Sequence, residues 1–166
     1  MKSNADLSKI QENYHQLLQS QQSLILATAS SNAVPESSYS PYIRGANGDF
    51  YIFISELAQH TQNLLHNPKA SILFITEESQ CHNIFARERA IFAVQAREIT
   101  RADPSYNPIM QSFAEAFGSV IPLLNSLNDF HLFALTPQQG RYIMGFGNAY
   151  TIDIANDTLA ALISPN

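Results

Sequence analysis

Arg87 and Arg89 stand two positions apart in a chain that has only nine lysines and arginines against fourteen aspartates and glutamates. Two guanidinium groups so close can clamp a carboxylate or a phosphate; the plainer alternative is an exposed entrance to the strand that follows. Ser55, His60 and Thr61 lie where an apolar run hands over to a helical pattern. Hydroxyls and backbone N–H groups there gather at the positive end of a helix, a place that binds anions, while Ser55 taken alone reads as a simple N-cap. Asp129 and His131 share one strand face at i, i+2. A carboxylate between the apolar Leu127 and Phe130 is either a helix-end residue or a group that orients a ligand.

Other chemistry is scarce. There is no phosphate loop, no G-x-S-x-G elbow and no H-E-x-x-H pair. Gly145-Phe146-Gly147 is a G-x-G, but it falls in a strand-like stretch with no helix behind it, so it reads as a bulge or a close backbone approach and not as a dinucleotide fingerprint. The five histidines, His15, His60, His66, His82 and His131, form no i, i+4 pair suited to a metal.

The elements that must position these residues follow from periodicity. Leu7, Ile10, Tyr14, Leu17 and Leu18 define one face of an opening helix over residues 1–20, with Ser3 or Asn4 as its cap. Ser23–Thr28 and Ser37–Ile43 read as strands around the turn Asn32-Ala33-Val34-Pro35. Asn47-Gly48 signals a hairpin into Phe50–Ile54. That strand is apolar on both faces, as is Ile72–Ile75, which places each between a barrel interior and either a helix or another subunit. Ser55–His66 is helical and stopped by Asn67-Pro68; Ile91–Ile99 is a long strand. Asp103-Pro104 introduces a helix carrying Tyr106, Ile109, Met110, Phe113 and Phe117, ended by Gly118, and a short helix follows over Ile121–Leu127. Two closing strands, Phe130–Leu135 and Tyr142–Phe146, flank the polar turn Pro137-Gln138-Gln139-Gly140. The tail over 155–166 is weakly patterned and expected to be mobile.

These elements do not alternate as βαβ units do. The expectation is a mainly β, α+β fold: one domain over 1–166, an antiparallel barrel with flanking helices. The 166 residues, 45% apolar and 14% charged, suit a globular core with little surface charge, which favours pairing of two copies. A net charge of −5 argues against nucleic acid as partner. The single cysteine, Cys81, and the absence of any long apolar run point to a cytoplasmic protein with no membrane partner.

Together the segments Ser23–Thr28, Tyr39-Ser40-Pro41-Tyr42, Ser55 through His60 to Ile72, Phe85-Ala86-Arg87-Glu88-Arg89, Asn128-Asp129-Phe130 and Gly145-Phe146-Gly147-Asn148-Ala149-Tyr150 resemble the heme-utilisation family of HugZ and HutZ. That family is a branch of the flavin-type split-barrel proteins related to pyridoxamine phosphate oxidases. The resemblance covers roughly residues 20–150. It implies a split β-barrel, a homodimer with cofactor sites at the subunit interface, heme binding, and oxygen-dependent opening of the porphyrin with release of iron. Residue by residue, it implies a hydroxyl near the heme at Ser23, a pocket residue at His60, propionate partners at Arg87 and Arg89, and at Asp129 the acceptor that orients an axial histidine across the interface. The better-known members carry that histidine beyond the G-F-G motif, whereas this sequence has none after His131. Either heme is held differently, with His131 as the candidate iron ligand, or it is held weakly, or the ligand is a flavin such as FMN, whose phosphate suits Ser55 and Thr61.

Overall fold

The computed structural model describes residues 4–162. Its centre is a closed barrel of six antiparallel strands: β1 (Ser23–Ala29), β2 (Pro35–Arg44), β3 (Phe50–Ser55), β4 (Lys69–Ile75), β5 (Arg89–Ile99) and β6 (Phe130–Ile143). They run in the order β3-β2-β1-β4-β5-β6, and β6 closes the ring by pairing with β3, from Phe50 opposite Leu135 to Ser55 opposite Phe130. Two further strands, β7 (Ala149–Asp153) and β8 (Thr158–Leu162), extend the sheet from the far end of β6. Hairpin-linked antiparallel strands close in this way because closure leaves no bare edge on the barrel.

Alternation fills the interior. Leu24, Leu26, Tyr42, Phe50, Ile52, Ile72, Phe74, Phe92 and Leu135 point inward and are buried. Their rings pack at centroid distances of 5.2–5.7 Å for Tyr42–Phe74, Phe50–Phe92 and Tyr42–Phe50, in the tilted and edge arrangements that aromatic quadrupoles prefer. Helix α1 (Asn4–Gln19) packs on one mouth of the barrel through Ile10, Tyr14, Leu17 and Leu18, the face its period defines, while Leu7 stays exposed. Of its two expected caps, Ser3 lies outside the described residues and Asn4 is already helical. Helix α2 (Gln59–His66) covers the opposite mouth through Leu64.

A second core lies outside the barrel. Helices α3 (Tyr106–Phe117) and α4 (Val120–Asn125) bury Tyr106, Met110, Phe113 and Ile121 against Phe53, Leu132 and Ala134 on the outer side of β3 and β6. The two apolar faces of β3 are thus satisfied within one chain, by barrel and helices, and not by another subunit. The outer face of β4 differs: Leu73 and Ile75 remain partly exposed.

The closing region departs from the sequence reading. Pro137-Gln138-Gln139-Gly140 is no turn but the middle of one 14-residue strand. Val94 pairs with Pro137 and Ala93 with Gln139, so Gln138 is an extra residue in a bulge. The bulge moves the inward set from odd positions (Phe133, Leu135, Pro137) to even ones (Gly140, Tyr142). Pro137 is tolerated because β3 pairing ends at Leu135 and β7 pairing begins only at Gly140. Gly140 is required by space: a Cβ there would stand 2.9 Å from the Phe92 ring. The strand ends at Ile143. Gly145-Phe146-Gly147 is then the turn into β7, with φ of 72° and 69° at its glycines, where the sequence suggested a continuing strand. Residues 158–162 of the weakly patterned tail form β8.

Candidate functional site

The expected site residues fall into two groups at opposite ends of the barrel. One gathers where β3 ends and β6 begins. Ser55 is the last residue of β3, not the first of a helix; the N-cap of α2 is Ala58. Ser55 Oγ donates to Asp129 Oδ2 at 2.7 Å and accepts from Leu57 N–H at 3.1 Å, while Glu56 N–H donates to the Asp129 carbonyl at 2.7 Å. Asp129 thereby pins the segment between β3 and α2. Thr61 is fully buried and donates to the Ser55 carbonyl at 2.6 Å, so its hydroxyl ties α2 to β3. His60 sets Nδ1 against Ser38 Oγ at 2.9 Å; burial lowers its pKa, only partly offset by the Glu36 carboxylate, and the ring is neutral near pH 7.

His131 is held on both sides. Nδ1 lies 2.6 Å from Glu98 Oε1 and Nε2 lies 2.6 Å from Glu56 Oε1. Burial alone would lower the pKa of this ring, which is 16% exposed, but the hydrogen bonds and charges of Glu98 and Glu56 outweigh it and raise the value. Ionised carboxylates only accept, so both ring nitrogens donate, as an imidazolium does. Neither nitrogen is offered to an iron in this arrangement. Glu56 and Glu98 escaped the sequence reading because they reach His131 from elements far away in the chain. Among the described residues no group of three His, Cys, Asp or Glu side chains is placed to hold a metal ion.

The second group sits where β1 and β5 begin. Ser23 and Arg89 both point outward, since their neighbours Leu24 and Ala90 are buried inside the barrel. Arg89 is opposite Ile75 on one side and Ile143 on the other, and donates through Nη1 to the Arg87 carbonyl at 2.8 Å. Arg87 is turned to structural work, with Nε and Nη2 on the Thr76 carbonyl at 3.0 and 2.7 Å and Nη1 on Glu78 at 3.1 Å. It closes the loop between β4 and β5.

Between these groups an apolar row crosses the outer surface of the barrel. Register places Tyr39, Ile25, Leu73 and Ile91 in one row across β2, β1, β4 and β5. Tyr39 is 69% exposed and Ile25 40%, and no helix of the described chain packs on them. A groove of about 440 Å³ opens on the same face, lined by Ser71, Ile91, Ala93, Arg141 and Thr151 among others. Strand β6 holds the two groups apart: Asp129 directly precedes Phe130 at its start, and Arg89 is opposite Ile143 at its end.

A closed antiparallel barrel of this topology with helices at both mouths is a split barrel of the flavin-binding type. The sequence matches the pyridoxamine 5'-phosphate oxidase family over residues 10–144, and the chain belongs to that family. Heme oxygenase HutZ of Vibrio cholerae serotype O1 is 36% identical over 134 residues, covering 81% of this chain and 76% of its own. A crystal structure of HutZ, there called a heme storage protein, superposes with a TM-score of 0.76 at 34% identity, covering 82% of this chain and 95% of that one. Campylobacter jejuni ChuZ gives a TM-score of 0.82 at 29% identity over 99% of this chain and 66% of its own. Within the family the chain falls in the heme-utilisation group of HugZ and HutZ. No helix among the described residues is long and apolar enough to cross a membrane.

Proposed function

We propose that the chain is a cytoplasmic heme-binding protein of heme-iron utilisation that opens the porphyrin ring with oxygen, at a site built jointly by two copies of the chain. The separation of the two residue groups carries this reading. Ser23 and Arg89 at one end, and Asp129 and Ser55 at the other, cannot meet on one small ligand within a single barrel. Two barrels packed antiparallel through the Tyr39–Ile25–Leu73–Ile91 face would bring the Arg89 end of one to the Asp129 end of the other, and would remove that apolar row from water.

The peripheral chemistry fits a tetrapyrrole: a half-buried guanidinium at Arg89 for a carboxylate, and an isoleucine-rich floor for the ring. Heme, when bound, supplies the iron centre at which oxygen is activated. The chain's part is to seat the carboxylates with Arg89, exclude water with the apolar face, and present Asp129 as a fixed acceptor whose orientation Ser55 holds. Titration of the purified protein with hemin is expected to give a Soret band saturating at about one heme per subunit, which ascorbate in air then bleaches. A featureless titration would sink the proposal; a Soret band that survives ascorbate would leave a heme carrier.

The second reading is an FMN-binding oxidoreductase. It is favoured by the engagement of both His131 nitrogens with carboxylates, which leaves that residue no free ligand for iron. Protein that is yellow as purified and releases flavin on denaturation would decide for it.

A further inference from the structure

Two buried tyrosines meet edge to face under α1, and each spends its phenolic proton on a carboxylate. Tyr14 of α1 and Tyr142 of β6 are both fully buried, with ring centroids 5.5 Å apart. Tyr142 Oη donates to Glu88 Oε1, and Tyr14 Oη donates to Asp157 Oδ1 at 2.7 Å. Burial first, and the carboxylate second, raises the pKa of each phenol, so both keep their protons. Three other phenols meet neutral acceptors instead: Tyr42 donates to the Leu18 carbonyl, Tyr51 to the Asn47 amide and Tyr106 to the Asn125 amide. Both carboxylates reach solvent. Glu88 is half-buried and directly precedes β5, at the end of the barrel where β1 and β5 begin. Asp157 lies partly exposed in the turn between β7 and β8, beside His15.

We propose that Tyr142 and Tyr14 form a proton-coupled relay that carries single oxidising equivalents from the ligand site to the surface at Asp157. The inference rests on the heme reading above for its oxidant, a one-electron acceptor of the kind that heme with peroxide supplies. A phenol yields an electron readily only when a base takes its proton in the same step, and a hydrogen-bonded carboxylate is such a base. Tyr142 gives one electron to the oxidant while its proton passes to Glu88 Oε1, which leaves a neutral phenoxyl radical and a neutral carboxyl. Tyr14 then restores it, passing one electron across the ring contact and its own proton to Asp157, while Glu88 returns its proton to Tyr142. A one-electron reductant such as ascorbate, arriving at Asp157, refills Tyr14, and Asp157 hands the proton back. Arg44 donates to the same Asp157 oxygen at 2.7 Å and makes it the weaker base, so the oxidising equivalent rests on Tyr142 and crosses Tyr14 only briefly.

The test is freeze-quench electron paramagnetic resonance on the full-length wild type, Tyr142→Phe, Tyr14→Phe, Glu88→Gln and the control Tyr51→Phe. Light-driven ruthenium tris(bipyridine) with persulfate is the oxidant in one arm, and hemin with hydrogen peroxide in the other. In both arms the wild type is expected to give a tyrosyl signal that Tyr142→Phe loses and Tyr51→Phe keeps. Glu88→Gln, which leaves the buried rings untouched, should cut the yield severalfold. Tyr14→Phe should keep the signal and lengthen its lifetime in ascorbate severalfold, because the refilling route is cut. A wild-type signal in Tyr142→Phe, an unchanged yield in Glu88→Gln, or an unchanged lifetime in Tyr14→Phe would overturn the relay. A signal driven by ruthenium but not by bound hemin would overturn its connection to the ligand site. Wild-type protein that binds no hemin would overturn the heme reading, while the ruthenium arm would still decide whether the pair relays.

Discussion

Asp129 anchors a loop and, on the proposed reading, also serves the ligand, and its variants can part the two. Its side chain and carbonyl both anchor the segment after β3, through Ser55 Oγ and Glu56 N–H. Asp129→Asn keeps an acceptor for Ser55 and removes the charge, so the fold should survive while ascorbate-driven bleaching of bound hemin slows. Turnover equal to wild type would reduce Asp129 to a loop anchor. His131 gives a pH-dependent signature of its own. Its pKa is raised by Glu98 and Glu56 against the opposing effect of burial, so the folded state binds the proton more tightly than the unfolded one. The stabilisation is fully present below the ordinary histidine value of about 6.5 and is lost as pH rises through the folded value. His131→Gln should therefore cost about 1–2 kcal/mol at pH 6 and clearly less at pH 9. Thermal melts at the two pH values check this, and an equal cost at both would mean that the ring is held neutral.

At the scale of elements, the bulge in β6 makes a sharp prediction. Deleting Gln138 removes the extra residue and would turn Gly140 and Tyr142 outward, exposing a buried ring and breaking the pairing with β7. The expected loss exceeds about 4 kcal/mol, enough to abolish folding, whereas Gln138→Ala should be nearly silent. A well-folded deletion variant would show that the register is set elsewhere. This bulge is also where sequence reasoning failed. Pro-Gln-Gln-Gly carries every local mark of a turn, and only the long β5 ladder beside it reveals a strand. The one-sided helices α1 and α3 were legible because their apolar residues recur at helical spacing, and Gly118, with φ of 76°, ends α3 where expected. The outer cover of β3 was half legible: two apolar faces demand two neighbours, but nothing local says that α3 and α4 supply the second. Of the candidate site, the residue types were readable and their grouping was not. Ser55 and Asp129 meet across 74 positions, and His131 finds its carboxylates on β5 and after β3. Such meetings belong to barrel closure and not to any local pattern.

For the whole molecule, the consequence to test is a cover over the row Tyr39, Ile25, Leu73 and Ile91. If a second copy supplies it, light scattering should report twice the mass of one chain. Ile25→Asp, at the middle of the row, should then halve that mass. Ile25 is 40% exposed in the single barrel, so the substitution should leave the fold of each chain intact. Hemin binding should weaken together with the mass, because the Arg89 and Asp129 ends would no longer meet. An Ile25→Asp protein that stays paired would move the interface elsewhere on the surface.

Strand β6 also governs how the chain comes to be folded. It supplies the last stave of the ring, pairing with β3 and β5 at once, yet it begins only at Phe130. During synthesis, everything up to α4 emerges while both of those strands still have an unmated edge. Closure must wait for contacts between distant parts of the chain, which makes it slow compared with the helices. A nascent chain stalled before residue 130 should thus be an open, adhesive sheet in need of chaperone cover, and ribosome release past Ile143 should be the moment at which protease resistance appears.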